Sequence, residues 1–520
     1  MTSRESIRDR PCVDRRVREP RRRSGEPGRL VPSYFVKRAD STDQSSRAWG
    51  HAIALDEAST TPLFAQIAEA LAADVRRGVL RPGDAIPGSR TLAETLGVHR
   101  NTVLAALREL EKQGWIRSER ARGTFVSEAL PEVRARAPES VRGDAFFDVS
   151  RVHPDVATTA PPGSLPLLGG VPDVRLVPTE ALARAYRRAL RAPRLLGYGD
   201  PAGAPALRRA LATMLAHTRG LAVEPDDVVV TRGSQMAIDL VSRALLRPGD
   251  VVAVEALGYR PAWEALRASG ATLVPVRVDR HGLDVARLAE LAETTPLRAV
   301  YVTPHHQYPT TVVLGAPRRL ALLELARRSR FAILEDDYDH ELHYEGRPIL
   351  PLASRAPRSV IYVGTLSKVL APGLRLGWVV APSPLREAIV AHRTYVDRQG
   401  DHVLEHAIAE LAEDGELARH TLRMRRVYLG RRDFFVSALR ETFGERLRFE
   451  VPRGGMALWA NARGVDVDAW AERAAERGVY VQTARRFTFD RRPRAALRLG
   501  FGALDEAELG RAIGVLAKTL

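Results

Sequence analysis

The sequence predicts an α/β protein, a mainly parallel sheet with helices on both faces, preceded by a small winged helix-turn-helix domain. Three observations predict this. The chain has 520 residues, too many for one compact core. From about residue 164, near-continuous Val/Ile runs such as "DVVVT", "DVVAVEA", "FAILEDD" and "SVIYVG" alternate with amphipathic helical segments, the pattern of strands buried on both faces. Before residue 128, three short helical patterns precede two strand-like runs around "RARG".

Residues 1–50 carry 13 Lys/Arg against 7 Asp/Glu, including "DRRVREPRRRSGEPGR", with little apolar periodicity. They read as a disordered, Arg-rich extension. They lack the apolar core of a secretory signal, and their acids argue against a transit peptide. The single cysteine, Cys12, lies there and can form no internal disulfide, so a reducing, cytoplasmic setting is expected. No apolar run approaches bilayer length, so no membrane partner is expected. The net charge of +16 suggests nucleic acid, yet residues 51–130 carry 10 Lys/Arg against 10 Asp/Glu. Charge alone therefore does not locate a DNA reader.

Residues 51–128 form the small domain. Pro62 suits a first helical turn, and Leu63, Ile67, Ala70, Leu71 and Val75 recur at helical spacing until Gly78. A second helix is predicted over about 89–96, broken by Gly97. A third, over about 99–113, buries Val103, Leu107 and Leu110 and turns Arg100, Asn101 and Arg108 outward. "SRTLAETLGVHRNTV", "LEKQGWI" and the wing "RGTFV" resemble the winged helix of the GntR family of bacterial transcription factors over about 60–128. The resemblance implies that Arg90, Arg100, Asn101 and Thr102 contact double-stranded DNA, with Arg122, Gly123 and Thr124 at the wing tip. Arginines at a helix N-terminus can fork onto guanine edges or phosphates, and a glycine wing lets backbone approach the sugar-phosphate. Gly88 and His99 depart from the usual serines, and His99 is expected to cap less well, altering operator preference. Residues 129–163, rich in proline and charge, read as a linker.

In the large domain, 164–520, the carboxyl ends of the parallel strands gather at one edge, where ligands bind. "RGS" places Gly233 and Ser234 at a helix N-terminus suited to phosphate. Tyr259 follows the next strand, "EDDYD" delivers Asp336 and Tyr338, and "GTLSKVLAPGLR" delivers Thr365, Ser367, Lys368 and Arg375. A lysine ending an apolar strand is costly to desolvate and needs a partner or a covalent role. With a phosphate cradle, an aromatic ring, a carboxylate and a phenol, it makes the kit for pyridoxal 5'-phosphate (PLP). The carboxylate would keep the pyridinium nitrogen protonated. Asp337 and Asp339 read as structural or solvent-facing, and no metal is expected.

With "YGDPAGAPALRRALA", "TRGSQMA", "TPHHQYPT" and "LRLGFG", residues 164–520 resemble PLP-dependent transferases of fold type I, with a smaller α+β subdomain over about 400–520. The whole chain resembles MocR-type regulators of the GntR family. The resemblance implies that Lys368 holds the internal aldimine, Asp336 pairs with the pyridine nitrogen and Tyr338 bonds the ring oxygen. It further implies that Tyr259 stacks on the ring, that Ser234, Gln235, Thr365, Ser367 and Arg375 hold the phosphate, and that His306 lies near the ring face. Arg498 matches the arginine that takes a substrate carboxylate. "ALGY" replaces a usual Asn-Pro-Gly-Tyr, and Thr311 a usual glycine. Two functions fit: a regulator sensing PLP or an amino acid, and an aminotransferase with an accessory DNA-binding domain. Fusion to a DNA reader through a linker favours the regulator. The resemblance also implies a homodimer reading repeated half-sites.

Overall fold

The structure, a computed structural model, describes residues 53–131 and 160–520, apart from 57 and 347. The Arg-rich extension 1–50 and residues 132–159 of the expected linker lie outside the described residues. The chain divides into two compact units, within residues 1–152 and 153–520.

In the first unit, α1 (Leu63–Arg76) begins after Pro62 and is latched by Gln66, whose amide donates to the Asp56 and Thr61 carbonyls at 2.9 and 2.7 Å. Strand β1 (Ala85–Ile86) leads to α2 (Ser89–Leu96), which Gly97 ends in the left-handed region at φ 65°. Helix α3 (Arg100–Lys112) follows, then the hairpin β2 (Ile116–Glu119) and β3 (Gly123–Val126). The sheet order is β1-β3-β2, antiparallel, with β1 too short to carry a periodic signal in the sequence. Ile67, Leu71, Leu92, Val103, Ala106, Leu110 and Val126 form one core. Leu107, expected in it, is only partly buried against it; the smaller Ala106 lies nearer the centre of the buried face.

In the second unit the elements run β4 (Leu165–Pro166), α4 (Thr179–Leu190), α5 (Pro205–Arg219), β5 (Val228–Thr231), α6 (Gly233–Leu245), β6 (Val251–Glu255), α7 (Arg260–Ala268) and β7 (Thr272–Val276). A hairpin, β8 (Val278–Asp279) and β9 (Gly282–Leu283), precedes α8 (Val285–Thr294), β10 (Leu297–Val302), α9 (Ala316–Ser329), β11 (Ala332–Asp337), β12 (Val360–Thr365), β13 (Gly377–Val380) and α10 (Ser383–Val396). Seven strands form one sheet in the order β5-β13-β12-β11-β10-β6-β7, parallel from β12 to β7, with β13 antiparallel to both neighbours.

Alternate strand residues enter two different cores, which is why the strands read as unbroken apolar runs. Val228, Val230, Val300, Ile333, Val360 and Tyr362 pack with α5, α8, α9 and their neighbours. Val229, Val252, Val254, Leu334, Ile361 and Val363 pack with α6, α7 and α10. At Gly364 a Cβ would collide with the buried Trp378 indole on the adjacent strand.

Helix α11 (His402–Glu413) and the 28-residue α12 (Glu416–Phe443) lead to β14 (Leu447–Phe449), β15 (Ala457–Ala462), α13 (Val467–Glu476), β16 (Val479–Tyr480), β17 (Gln482–Thr483), β18 (Ala496–Gly500) and α14 (Glu506–Thr519). The second sheet is antiparallel, in the order β14-β15-β18-β17. The smaller core does not begin near residue 400: Ala407, Ile408, Leu411 and Leu417 belong to the larger core, and the smaller one starts at Phe435, within α12. Leu167 joins it from the other end of the unit, beside the parallel pairing of β4 with β16. Among the described residues no helix is long and apolar enough to cross a membrane.

Because the two units have separate cores, Leu110→Ala should cost the first about 2–4 kcal/mol. Calorimetry should show one transition lowered and that of residues 160–520 unmoved; a shift of both would mean that the units unfold together.

Candidate functional site

The first unit presents its DNA-facing candidates at two helix starts. Arg90, Arg100 and Asn101 are exposed and Thr102 is half-buried. The Arg100 Nε donates to Ser89 Oγ at 3.2 Å, which brings the starts of α2 and α3 together. His99 does cap α3: its Nδ1 accepts from the Asn101 N–H, at a long 3.2 Å. At the wing, Arg122 is exposed and paired with Glu119 at 2.8 Å. Gly123 has φ 121°, a conformation closed to most side chains, and Thr124 is partly buried.

In the second unit, the turn after β5 starts α6 with no side-chain cap, leaving the N–H groups of Gly233, Ser234 and Gln235 for an anion. Gln235 uses one amide N–H on the Pro261 carbonyl at 2.8 Å, and its backbone N–H faces the uncapped helix start. The exposed Arg375 guanidinium crosses Gly233, where a Cβ would lie 3.2 Å from it, and is pinned to the Arg232 carbonyl at 3.0 Å. Thr365 Oγ1 donates to the Leu376 carbonyl at 2.8 Å and accepts from the Ser367 N–H at 3.1 Å, fixing the turn before Lys368.

Asp336, near the end of β11, is buried; Oδ2 accepts from the Tyr301 hydroxyl at 2.7 Å and Oδ1 has no partner. Burial, partly offset by the Tyr301 hydrogen bond and reinforced by Asp337, raises its pKa to about 7. Lys368 donates to the Gly170 carbonyl at 2.8 Å. Burial and the Arg498 cation lower its pKa to about 8, against the opposing pull of Asp339 and Asp336. Tyr338 donates to the His306 carbonyl at 2.9 Å, and His306 Nδ1 meets Asp339 Oδ1 at 2.8 Å.

Arg498, on β18, is 1% exposed, and its Nε and Nη1 have no partner. It shares a wall with Lys368: a Cβ on Gly170 would lie 3.6 Å from the Lys368 Nζ and 3.7 Å from Arg498 Nη1, and one on Gly169 would collide with the guanidinium. Sequence reasoning gave this glycine pair no role; two adjacent glycines ending "LPLLGG" were the available signal. It also missed Tyr308, whose ring lies 4.2 Å beneath the Arg498 guanidinium, with Tyr259 edge-on at 5.3 Å and Tyr338 at 6.0 Å.

Asp337 and Asp339 do not face solvent. Both are buried, Asp337 on His340 Nδ1 at 2.8 Å and the Tyr362 hydroxyl at 2.9 Å, Asp339 on His306. Thr311 has φ 64°, the left-handed conformation that explains why glycine is usual there.

The unpartnered Asp336 Oδ1 and the paired, partly neutral Lys368 fit PLP. A buried carboxylate oxygen without a donor suits a protonated pyridine nitrogen, and an uncapped helix start crossed by an arginine suits a phosphate. Comparison with known proteins agrees. Residues 63–126 match the bacterial regulatory proteins of the gntR family, and residues 170–516 match aminotransferase class I and II. The probable rhizopine catabolism regulatory protein MocR of Rhizobium meliloti is 32% identical over 481 residues, 89% of this chain and 95% of that protein. The HTH-type transcriptional regulator TauR of Rhodobacter capsulatus is 33% identical, over 85% of this chain and 93% of that protein. The α-aminoadipate aminotransferase LysN of Thermus thermophilus, solved with N-(5'-phosphopyridoxyl)-L-leucine, aligns at TM-score 0.65 and 29% identity over 69% of this chain and 92% of that one.

A winged DNA-binding helix joined to an aminotransferase-fold domain that takes PLP defines a PLP-dependent transcriptional regulator. This chain belongs to the MocR-type regulators of the gntR family.

Only the neutral amine of Lys368 can attack an aldehyde, so attachment of PLP to the apoprotein should accelerate as pH rises through about 8. Arg498 helps to hold that pKa down, so Arg498→Ala should move the midpoint upward in stopped-flow absorbance. An unmoved midpoint would place Arg498 outside the electrostatic surroundings of Lys368.

Proposed function

We propose that this regulator senses an amino acid through the PLP pocket, with Arg498 taking the carboxylate and Lys368 yielding its place to the incoming amine. The observation that carries the reading is the buried guanidinium with two unpartnered nitrogens, one wall away from Lys368. A cation left so is costly, and a carboxylate supplies the bidentate partner it lacks. Bound PLP supplies an aldehyde that condenses with a primary amine and a ring that withdraws electrons. Lys368 provides the resting amine, Asp336 Oδ1 holds a proton on the ring nitrogen, and the start of α6 with Thr365, Ser367 and Arg375 holds the phosphate. Tyr259 and His306 would line the ring, and Tyr338, which donates to the His306 carbonyl, would be placed to donate to the ring oxygen. Two amines competing for one position create resting and liganded states that differ in charge and contacts, which a coupled DNA-binding unit can report.

On the DNA side, Arg90, Arg100, Asn101 and Thr102 read the operator from the adjoining starts of α2 and α3, with Arg122, Gly123 and Thr124 on the backbone. The protein works in the cytoplasm as a homodimer, two winged units reading repeated half-sites.

Arg100→Ala should weaken operator binding by about 1–3 kcal/mol per site and leave the PLP absorbance unchanged. Loss of both would mean misfolding rather than a lost contact.

Amino acids screened against the PLP-loaded protein should change both its visible spectrum and its operator footprint. Arg498→Ala should abolish both responses and retain the resting spectrum. A spectral and DNA response to PLP alone would make the protein a PLP sensor. Sustained keto-acid formation at about 1 per second, with DNA binding indifferent to ligand, would make it an aminotransferase.

A further inference from the structure

Beside the cofactor pocket lies a histidine cluster of which the proposed PLP chemistry employs His306 alone. His305 is 4% exposed, His306 1% and His343 9%. Both ring nitrogens of His305 and Nε2 of His306 have no hydrogen-bond partner, while the Glu345 backbone reaches His343. Three unpartnered imidazole nitrogens in an interior demand an explanation, because buried polar groups are nearly always satisfied.

The rings are close. His305 meets His306 edge-on at 4.6 Å and His343 at 5.9 Å between centroids. One ring nitrogen of each lies within 4.8 Å of the others. We propose that His305, His306 and His343 form a site for a divalent transition-metal ion of the zinc class.

One feature beyond proximity supports it. The Asp339 carboxylate holds His306 Nδ1 at 2.8 Å, which orients Nε2 as the ligand atom, the usual arrangement of a carboxylate behind a metal-bound histidine. Gly454 packs against the Cε1–Nε2 edge of the His306 ring, where a Cβ would collide with it.

Two nearby cations, Arg319 and Arg425, direct N–H groups at backbone carbonyls, and the buried carboxylates of Asp336, Asp337 and Asp339 oppose them. Neutral imidazoles suit zinc, cobalt and nickel better than magnesium or calcium, and three of them leave one coordination position open.

The ion would tie two segments together. His305 and His306 follow β10, and His343 follows the adjacent strand β11 and forms an isolated bridge with Gly454 of the segment before β15. Since Tyr338 bonds the His306 carbonyl, occupation would stiffen the wall that Tyr338 belongs to. The metal site does not depend on the PLP assignment, because its primary readout is metal uptake.

Tag-free, full-length, PLP-loaded protein, stripped with a chelator, should take up one Zn2+ per chain in calorimetric titration and elemental analysis. His305→Ala and His343→Ala should each weaken binding by more than about 100-fold, beyond the loss typical of an outer partner. Both should keep the PLP absorbance, and His340→Ala should keep Zn2+ binding. X-ray absorption of the wild-type Zn2+ complex should show three imidazole ligands, which tests the site even where a variant fails to fold. No stoichiometric uptake, uptake indifferent to His305 and His343, or a ligand set with fewer imidazoles would overturn the proposal. Loss with His340→Ala but not His343→Ala would overturn it in favour of the alternative triad His305, Asp337 and His340, whose ligand atoms are equally close.

Discussion

The large domain depends on one constraint, the burial of Asp336 with an oxygen left unpartnered at the carboxyl edge of the parallel sheet. An isolated buried carboxylate is expensive and tends to neutralise, and the rise of this pKa to about 7 shows the tendency. Tyr301 supplies one hydrogen bond and Lys368 a positive charge, which together leave the carboxyl poised rather than fully ionised. A cationic ring nitrogen completes the set, so the cofactor settles an electrostatic debt that the fold alone does not.

The other acids on neighbouring strand ends are treated differently, and the contrast shows how the edge is tuned. Glu335 accepts the N–H groups of Leu352 and Ala353 at 2.8 and 3.0 Å and sits near 7, because burial and Asp337 outweigh those bonds. Glu255, at the end of β6, accepts from the Thr303 hydroxyl at 2.7 Å and is also raised to about 7 by burial. Asp337 goes the other way. Burial pushes it up, but His340 and Arg219 outweigh burial and hold it well below the usual carboxylate range. Adjacent residues on one strand point to opposite faces, so Asp336 and Asp337 meet unrelated surroundings although they are neighbours in sequence.

Much of this was legible because it is local. Strands buried on both faces announce themselves as Val/Ile runs, and Asp336 at the end of one strand, with Lys368 and Ser234 just after two others, falls at one edge. What stayed hidden depends on distant pairing. Gly169 and Gly170 matter because Arg498 and Lys368 pack on them, from more than 300 and about 200 residues away. Tyr308 is one aromatic among twelve tyrosines until Arg498 is seen above its ring. The start of the smaller core lies inside α12 because a single 28-residue helix serves both cores, and its sequence carries no break. His343 looks like any polar residue in "HELHYEG", and only the fold brings it to His305 and His306.

A pocket of this kind suits a sensor for a reason rooted in its charges. A ligand shifts a conformational equilibrium only by its differential affinity for the two states, however tightly it binds. Here the incoming group would carry a carboxylate to an unsatisfied guanidinium and an amine to the place of a lysine whose pKa depends on that same guanidinium. Neutralising Arg498 removes one of the forces that depress the Lys368 pKa, so binding at one wall favours protonation of the lysine at the other. A protonated Lys368 would find Asp336 and Asp339 as its electrostatic partners rather than an arginine as its opponent. Ligand binding would therefore shift the charge balance between Arg498 and Lys368 in a largely buried site, where such changes carry more energy than at a surface.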